Sequence, residues 1–440
     1  MQFHELLPDD FLDQLQTEAG VKRNNCVYSP LVTMWLMMLQ RLHCGASLES
    51  AVLELLRGLP PSFWPNPCKR IRRWQEDGTA PSSNTGAYNL ARQALSPSIV
   101  QKSYDRMFAQ MVSRMDQTAS QDAPRAFLLD GSSIRMPHTP ELCKLYPPGS
   151  NQHGEGHWPV LRILVAHDIY TGLAMRPEWG PMYGPEAVSE QELLTRAIDR
   201  LPKDATGVSD ANFGIFWVAY TFQQHERSAI LRLTADRARC LAGGELQDGI
   251  DRELVWKPSI GDRRRHPDLP ADASVAGRLI VRRVQPTNGD AFLLPIFTTL
   301  RLPEAEILAI YGQRWNIESD LRTLKSDLRL EELTCSTADM VAKEIDMGMA
   351  AYNLVRYLIH LAAQQSGIPP RCFSFSKVRK IIEIFGPALA NAANEEEAKR
   401  IFEQIMRLIQ QSKLPHRKRK RPSYPRAVWK RRDSFPKRKK

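Results

Sequence analysis

The sequence predicts an α/β domain that carries a strand-rich insertion and is flanked by helical regions. Three observations support this prediction: the residues up to about 120 have helical patterns, strands alternate with helices from about residue 124, and short strands dominate residues 235–302. The chain has 440 residues, which is more than a single hydrophobic core usually serves. Two or three structural units are therefore expected.

The first segment is predicted to be helical. Ser29 and Pro30 suit the N-cap and the first helical position before an apolar run, and Ser47 can cap a second helix that ends near Gly58. A further helix is predicted from about residue 98 to 115. These helices would form one unit ahead of the first strand.

Buried strands are predicted next. Residues 127–129 and 160–166 are nearly continuous apolar runs of the kind found in strands covered on both faces, and residues 207–209 are predicted to form a short strand. Ser189 and Glu192 have the spacing of a capping box, which predicts the start of a helix. Alternation of strands and helices favours an α/β sheet.

Acidic residues follow these three segments. Asp130, Asp168 and Asp210 each stand at or just beyond a predicted strand end. An acid in this place is more often a turn or cap residue than a catalytic one, and by strand-end position alone the three have equal claims. The spacing does not choose among them.

The insertion is predicted to be mostly short strands. Residues 254–257 are one candidate, and residues 279–284 can pair with residues 292–299 around the Asn288–Gly289 turn. We expect this strand-rich material to interrupt the α/β domain between a strand and its following helix.

The helix predicted over residues 303–329 has the most informative pattern. At about 3.6 residues per turn, one narrow stripe of it contains Tyr311, Arg314, Glu318, Arg322 and Lys325. An apolar stripe lies beside it. A solvated helix face is the usual interpretation of such charges. Here a single acid stands among a tyrosine and several cations beside a core-facing seam, which favours a binding site. A second long helix is predicted over residues 339–365.

The positive charge is concentrated at one end of the chain. The net charge is +11, yet residues 413–440 contain 14 Lys or Arg and one acid, which leaves the other 412 residues with a net charge of −2. A basic tail on a near-neutral body indicates contact with a polyanion such as nucleic acid, or a solubilising end. Seven widely spaced cysteines indicate reduced thiols, and no secretion signal or span of about 20 apolar residues is visible, so a cytoplasmic protein without membrane contact is expected.

The order Tyr311, Arg314, Glu318, Lys325 resembles the YREK signature of bacterial insertion-sequence transposases of the DDE class. Asp130, with Gly131 and Ser132 after it, resembles the first acidic motif of that family, and Asp210 with Phe213 resembles the second. The second motif usually continues with arginine and glycine, whereas Ala211 and Asn212 stand here.

The resemblance implies a ribonuclease H-like catalytic core of the retroviral-integrase type. It implies that Asp130, Asp210 and Glu318 are catalytic and bind Mg²⁺ or Mn²⁺, as two ions, while Tyr311, Arg314, Arg322 and Lys325 contact DNA. The expected organisation is a helical DNA-recognition domain at 1–120, a catalytic domain at 121–338 with its insertion at about 235–302, a helical region at 339–412 and a basic tail at 413–440.

The resemblance also implies partners. These are the terminal inverted repeats of the element, target DNA and a second copy of the chain in a homodimer on paired DNA ends, in a nucleoid-associated cytoplasmic enzyme. Two alternatives stay open: a DNA-binding regulator derived from a transposase, and a metal-dependent nuclease of the same fold. Trp256 is a candidate wedge for a DNA hairpin or a core residue, and His153 and His157 are a candidate metal pair or loop residues.

Overall fold

The computed structural model describes residues 6–21, 26–43, 47–116, 125–151, 154–286, 290–331 and 333–415. The N-terminal part of the described chain contains the helices α1 Asp9–Glu18, α2 Pro30–Leu42, α3 Leu48–Arg57, α4 Lys69–Asp77, α5 Gly86–Ala94 and α6 Pro97–Asp116. Ser29 caps α2 and Ser47 caps α3, each by accepting a backbone N–H with its hydroxyl. The predicted helices of this segment are confirmed.

From Ala126 onward, strands and helices alternate. Its elements are β1 Ala126–Arg135, α7 Pro140–Leu145, β2 Ser150–Asn151, β3 Gly154–Glu155, β4 Val160–Asp168, β5 Glu178–Pro181, α8 Glu190–Ala197, β6 Thr206–Ser209, α9 Phe216–Gln224 and β7 Ser228–Arg232. The capping box predicted at Ser189 and Glu192 opens α8.

A mixed sheet of eight strands organises the molecule, in the order β5-β4-β1-β6-β7-β10-β9-β8. In its first half β1, β6 and β7 are parallel, while β4 pairs antiparallel with β1, and β5 with β4. This arrangement agrees with the ribonuclease H-like fold implied by the sequence. Asp130 lies inside β1, opposite Val165 of β4, and not at the strand end that the sequence predicted, because the pairing with β4 continues to Arg135. Because β1 and β6 are neighbouring parallel strands, Asp130 and Asp210 come to the same edge of the sheet.

The strand-rich insertion extends this same sheet. It consists of α10 Ala235–Ala242, β8 Asp251–Trp256, α11 Ile260–Arg265, β9 Val275–Val284 and β10 Phe292–Thr298. The predicted pairing of β9 with β10 is confirmed, and β10 also pairs with β7. Asn288 and Gly289, the predicted turn, lie outside the described residues.

The helix predicted over residues 303–329 is divided in the structure. It consists of α12 Glu304–Gly312, a 3₁₀ turn Gln313–Trp315, α13 Asn316–Arg322 and a π turn Thr323–Asp327. The prediction of one regular helix was therefore wrong. Gly312 weakens the α-helix where the tighter turn begins, and the buried guanidinium of Arg314 lies in that turn.

A long helix joins the helical regions to the sheet. It is α14 Ala338–Ser366, followed by α15 Phe375–Ala390 and α16 Glu395–Gln411. Asn353 on α14 donates to the hydroxyl of Tyr104 on α6 and accepts from the backbone N–H of Ala174, at 2.9 and 2.8 Å. Lys343 donates to the carbonyl oxygens of Arg92 and Leu95 at 2.8 Å each. These buried hydrogen bonds fix the N-terminal helices to α14.

No helix in the described part of the chain combines the length and apolar character required to cross a membrane. Most of the basic tail, residues 416–440, lies outside the described residues.

Candidate active site

Strand register places Asp130 beside Asp210. In the parallel pair of β1 and β6, Leu128 lies opposite Val208, and the two aspartates each come two residues later. Asp130 is half-buried, and burial raises its pKa to about 6. The carboxylate of Asp210 raises the pKa of Asp130 further, so the two acids interact directly through their charges.

Backbone N–H groups hold both aspartates. Gly131 donates to Oδ1 of Asp130 at 2.8 Å, and Asn212 donates to Oδ1 of Asp210 at 2.9 Å. Each carboxylate therefore keeps one oxygen occupied by its own chain. The other oxygen of each aspartate is available to a ligand.

Glu318 lies on α13, which packs against β1. Its side chain is 46% exposed, and Nη2 of Arg314 lies 3.5 Å from its Oε1. The same guanidinium lowers the pKa of Asp130. Arg314 thus interacts with acids from both elements and connects Glu318 to the two aspartates.

Asp130, Asp210 and Glu318 do not converge on a single point in this structure. In the described ranges, no group of three or more His, Cys, Asp or Glu side chains is arranged to hold a metal ion. The donor set nevertheless has the right chemistry, because carboxylate oxygens are the ligands that hard divalent cations prefer. Asp130 and Asp210 lie close enough for their charges to interact, whereas Glu318 is paired with Arg314.

Tyr311 packs at the same edge. Its side chain is buried, and burial raises the pKa of its hydroxyl. Arg314 and Arg232 lower that pKa and Asp210 raises it, so the ring stands among these three side chains. Arg232 is the last residue of β7, the neighbour of β6. Sequence analysis had not identified this arginine.

The remaining two members of the stripe lie further along. Arg322 ends α13 and is exposed, whereas Lys325 is half-buried in the π turn. Within the described structure neither forms an ion pair with the three acids. The structure thus brings Tyr311 and Arg314 to the aspartates and leaves Arg322 and Lys325 outside this group.

A fourth acid, Glu190, lies at the same edge of the sheet. It is the first residue of α8, and its charge raises the pKa of Asp130. Asn212 donates a side-chain hydrogen bond to it. Sequence analysis treated this segment only as a helix cap, and an acid in a first helical turn is too common to indicate a site.

Asp168 has a different role from Asp130 and Asp210. It is buried and accepts hydrogen bonds from the backbone N–H groups of Tyr170 and Thr171, while Arg125 lies 3.3 Å from its Oδ2. In the antiparallel pair it lies opposite Phe127, toward the start of β1. Asp168 therefore closes the turn after β4.

The sequence left two further questions open: whether Trp256 is a DNA wedge or a core residue, and whether His153 and His157 form a metal pair or lie in a loop. Trp256 is buried, and its ring packs edge-on against Phe297 at 4.9 Å, which supports the core interpretation. His157 lies outside any helix and stacks on His138 with ring centroids 4.4 Å apart, while His153 lies outside the described residues. The helical metal pair is therefore not formed by His157.

Comparison with known proteins agrees with this arrangement. Residues 121–354 match the transposase DDE domain family. The chain is also similar to the transposase InsG for insertion sequence element IS4 of Escherichia coli (strain K12), with 24% identity over 322 residues that cover 70% of this chain and 68% of the relative. The family match spans the sheet, the insertion and the helices that carry the YREK residues. The chain therefore belongs to the transposase DDE domain family and is a DNA transposase, an enzyme that cleaves DNA and transfers strands.

Proposed function

We propose that Asp130, Asp210 and Glu318 are the catalytic carboxylates of this transposase and that they bind two Mg²⁺ or Mn²⁺ ions. Transposases of this class use divalent metal ions. The observation that carries the proposal is the register of β1 and β6, which sets Asp130 beside Asp210, together with the packing of the Glu318 helix against β1. Three separated parts of the chain thereby supply acids to one edge.

Carboxylates suit the reaction for an electrostatic reason. Asp130, Asp210 and Glu318 would hold a pair of divalent cations, which would supply stabilisation of the charge on the attacking and leaving oxygens of a phosphodiester. The crowding of Asp130, Asp210 and Glu190 leaves net negative charge at this edge, which attracts the cations. Glu318, with its exposed carboxylate, completes the ligand set when its contact with Arg314 is released.

Arg314 has two parts in this proposal. Without cations its guanidinium, which is always charged, balances Glu318 and Asp130. Once the carboxylates bind cations, its five donors are free to hold a phosphate of the DNA strand. Tyr311, beside Arg314, would also contact a DNA phosphate, and Arg322 and Lys325 would contact phosphates without reading bases.

The finer features of the enzyme follow from the same assignment. We propose that it cuts at the ends of an insertion sequence and joins them to target DNA, that the helices of residues 1–120 recognise the terminal inverted repeats, and that the basic tail binds phosphates. A homodimer would hold two DNA ends together. The enzyme would act in the bacterial cytoplasm, at the nucleoid.

A strand-transfer assay tests the assignment. The wild type and Glu318→Ala are compared on DNA that carries the ends of the element, with Mg²⁺. We expect the variant to bind these ends like the wild type and to lose cleavage and strand transfer. Glu306→Ala, which removes an exposed acid from the neighbouring helix α12, is the matched control and should remain active. Equal activity of Glu318→Ala and the wild type would refute the proposal.

A further inference from the structure

Glu190 links the two strands that carry the catalytic aspartates. We propose that it is a positioning residue: its carboxylate ties the Asp210 loop to the Asp130 strand, and so fixes the separation of the two aspartates that bind divalent cations. This inference rests on the metal-binding role proposed above. It adds a residue that lies outside both acidic motifs and outside the YREK stripe.

The first link runs through Asn212. The side-chain Nδ2 of Asn212 donates to Oε2 of Glu190, and its backbone N–H donates to Oδ1 of Asp210 at 2.9 Å. One residue therefore joins the two acids. Gln191 strengthens the link, because its Nε2 donates to the backbone oxygen of Asn212 at 2.8 Å and to its Oδ1 at 3.2 Å.

The second link is a close packing contact with Gly131. A Cβ added at Gly131 would lie 2.1 Å from both Cδ and Oε1 of Glu190, so the carboxylate lies directly against Gly131, and a larger residue at this position would displace the Glu190 side chain. The backbone N–H of Gly131 is the group that donates to Asp130. Glu190 therefore rests on the peptide that holds the first aspartate.

Glu190 also brings a third carboxylate close to Asp130 and Asp210. Like charges at short range repel one another. The start of helix α8 and the hydrogen bond from the Asn212 amide stabilise the Glu190 carboxylate in this place. The hydrogen bonds through Asn212 therefore hold the two acidic segments together against their mutual repulsion.

Calorimetric titration of the full chain with Mn²⁺ tests this role. We expect Glu190→Ala to weaken Mn²⁺ binding about tenfold, in the range seen when residues that orient metal ligands are removed. Asn212→Ala should weaken it similarly, and the double variant should lose little more, because both changes break one link. Glu190→Gln should keep near-normal affinity, since its amide oxygen can still accept from Asn212.

Glu192→Ala is the matched control. Glu192 lies in the same helical turn, and its side chain accepts from the N–H of Ser189 in the capping box. Its loss removes one half of the capping box at the start of α8 but leaves the link to Asn212 intact. We expect wild-type Mn²⁺ affinity for this variant.

The outcomes separate the two proposals. If Asp130→Ala binds Mn²⁺ like the wild type, the metal-binding assignment itself fails. If Asp130→Ala loses Mn²⁺ while Glu190→Ala and Asn212→Ala keep it, only the role of Glu190 is wrong. An equal loss in Glu192→Ala would assign the effect to the helix start, and an equal loss in Glu190→Gln would assign it to charge; either result would overturn the positioning role.

Discussion

Two acids on helix α13, only two residues apart, have opposite surroundings. The side chain of Glu318 is 46% exposed, and Arg314 lies 3.5 Å away. The side chain of Asp320 is fully buried, and both its oxygens accept from Nη1 of Arg371 at 2.7 Å, while Arg356 donates to one of them. We call the surroundings of Asp320, namely Arg356, Arg371 and His167, the buried ion cluster.

The contrast shows how one helix turn serves two purposes. Burial alone would raise the pKa of Asp320, but Arg356 and Arg371 lower it, so this carboxylate stays ionised and satisfied within the protein. Asp130, Asp210, Glu190 and Glu318 form what we call the carboxylate edge. These four acids outnumber the two neighbouring arginines, Arg314 and Arg232. An acid that the protein itself neutralises holds structure together, whereas acids left with excess charge are available to an external cation.

The buried ion cluster also positions the site. Arg356 belongs to α14, and Arg371 donates to the carbonyl oxygens of Ile169 and Asp168 at 3.1 and 3.0 Å. Asp320 thereby anchors α13 to α14 and to the turn after β4. Since Glu318 is half a turn away on the same helix, this anchor sets its direction.

The largest effect is expected from breaking the anchor. Asp320→Ala leaves the buried charges of Arg356 and Arg371 without their counter-ion and should lower the free energy of unfolding by about 3–5 kcal/mol. Urea unfolding measures this. Glu318→Ala is the matched change on the exposed side and should stay within about 0.5 kcal/mol of the wild type. A small loss for Asp320→Ala would show that the cluster does not hold the helix.

Asp346 is a second buried acid, and its effect on the free energy of unfolding should be smaller and should depend on pH. Neither oxygen of Asp346 has a hydrogen-bond partner in the described structure, and burial raises its pKa to about 8, with Arg176 lowering and Asp105 raising it. The native state therefore keeps a proton that the unfolded chain releases near pH 4. The free energy of unfolding consequently falls as the pH rises from about 4 to 8.

Asp346→Asn should abolish this contribution. Between pH 5 and 7 the difference in unfolding free energy between the variant and the wild type should change by about 2–3 kcal/mol in favour of the variant, from about 1.4 kcal/mol per pH unit. Urea unfolding at the two pH values gives both numbers. A constant difference would mean that Asp346 ionises normally in the native state.

The smallest effect is expected at the carboxylate edge itself. Burial raises the pKa of Asp130 to about 6, so its ionised form is disfavoured in the native state and stability is lost as the pH rises through that value. Asp130→Asn should stabilise the metal-free protein by about 1 kcal/mol at pH 8 and by much less at pH 5. Thermal unfolding with a chelator measures this gain.

Addition of Mn²⁺ gives a second test of the wild type against Asp130→Asn. The ion should raise the unfolding temperature of the wild type and leave that of Asp130→Asn nearly unchanged, because only the wild type has the first ligand. A variant that is less stable than the wild type at pH 8 without metal would contradict the excess of negative charge at this edge.

Local sequence determined the elements and most of their boundaries. The helix starts at Ser29, Ser47 and Ser189 could be predicted because a capping side chain accepts a hydrogen bond from the backbone N–H three residues further along its own chain. The residues just before Asp130 and Asp210 also predicted strands, because the signal for a strand lies in a few consecutive residues. The YREK resemblance then identified the family, which the comparison confirmed.

Tertiary structure decided which acids share a site. Asp130, Asp168 and Asp210 look alike in sequence, yet strand order joins the first to the third and leaves Asp168 to a turn. The pairing of β1 with β6 depends on residues about 80 positions apart. The divided helix near Gly312 and the links from Glu190 to Asn212 and Gly131 also depend on packing between distant segments. A local pattern reports which residues are buried, but only the register of the sheet determines which of them meet.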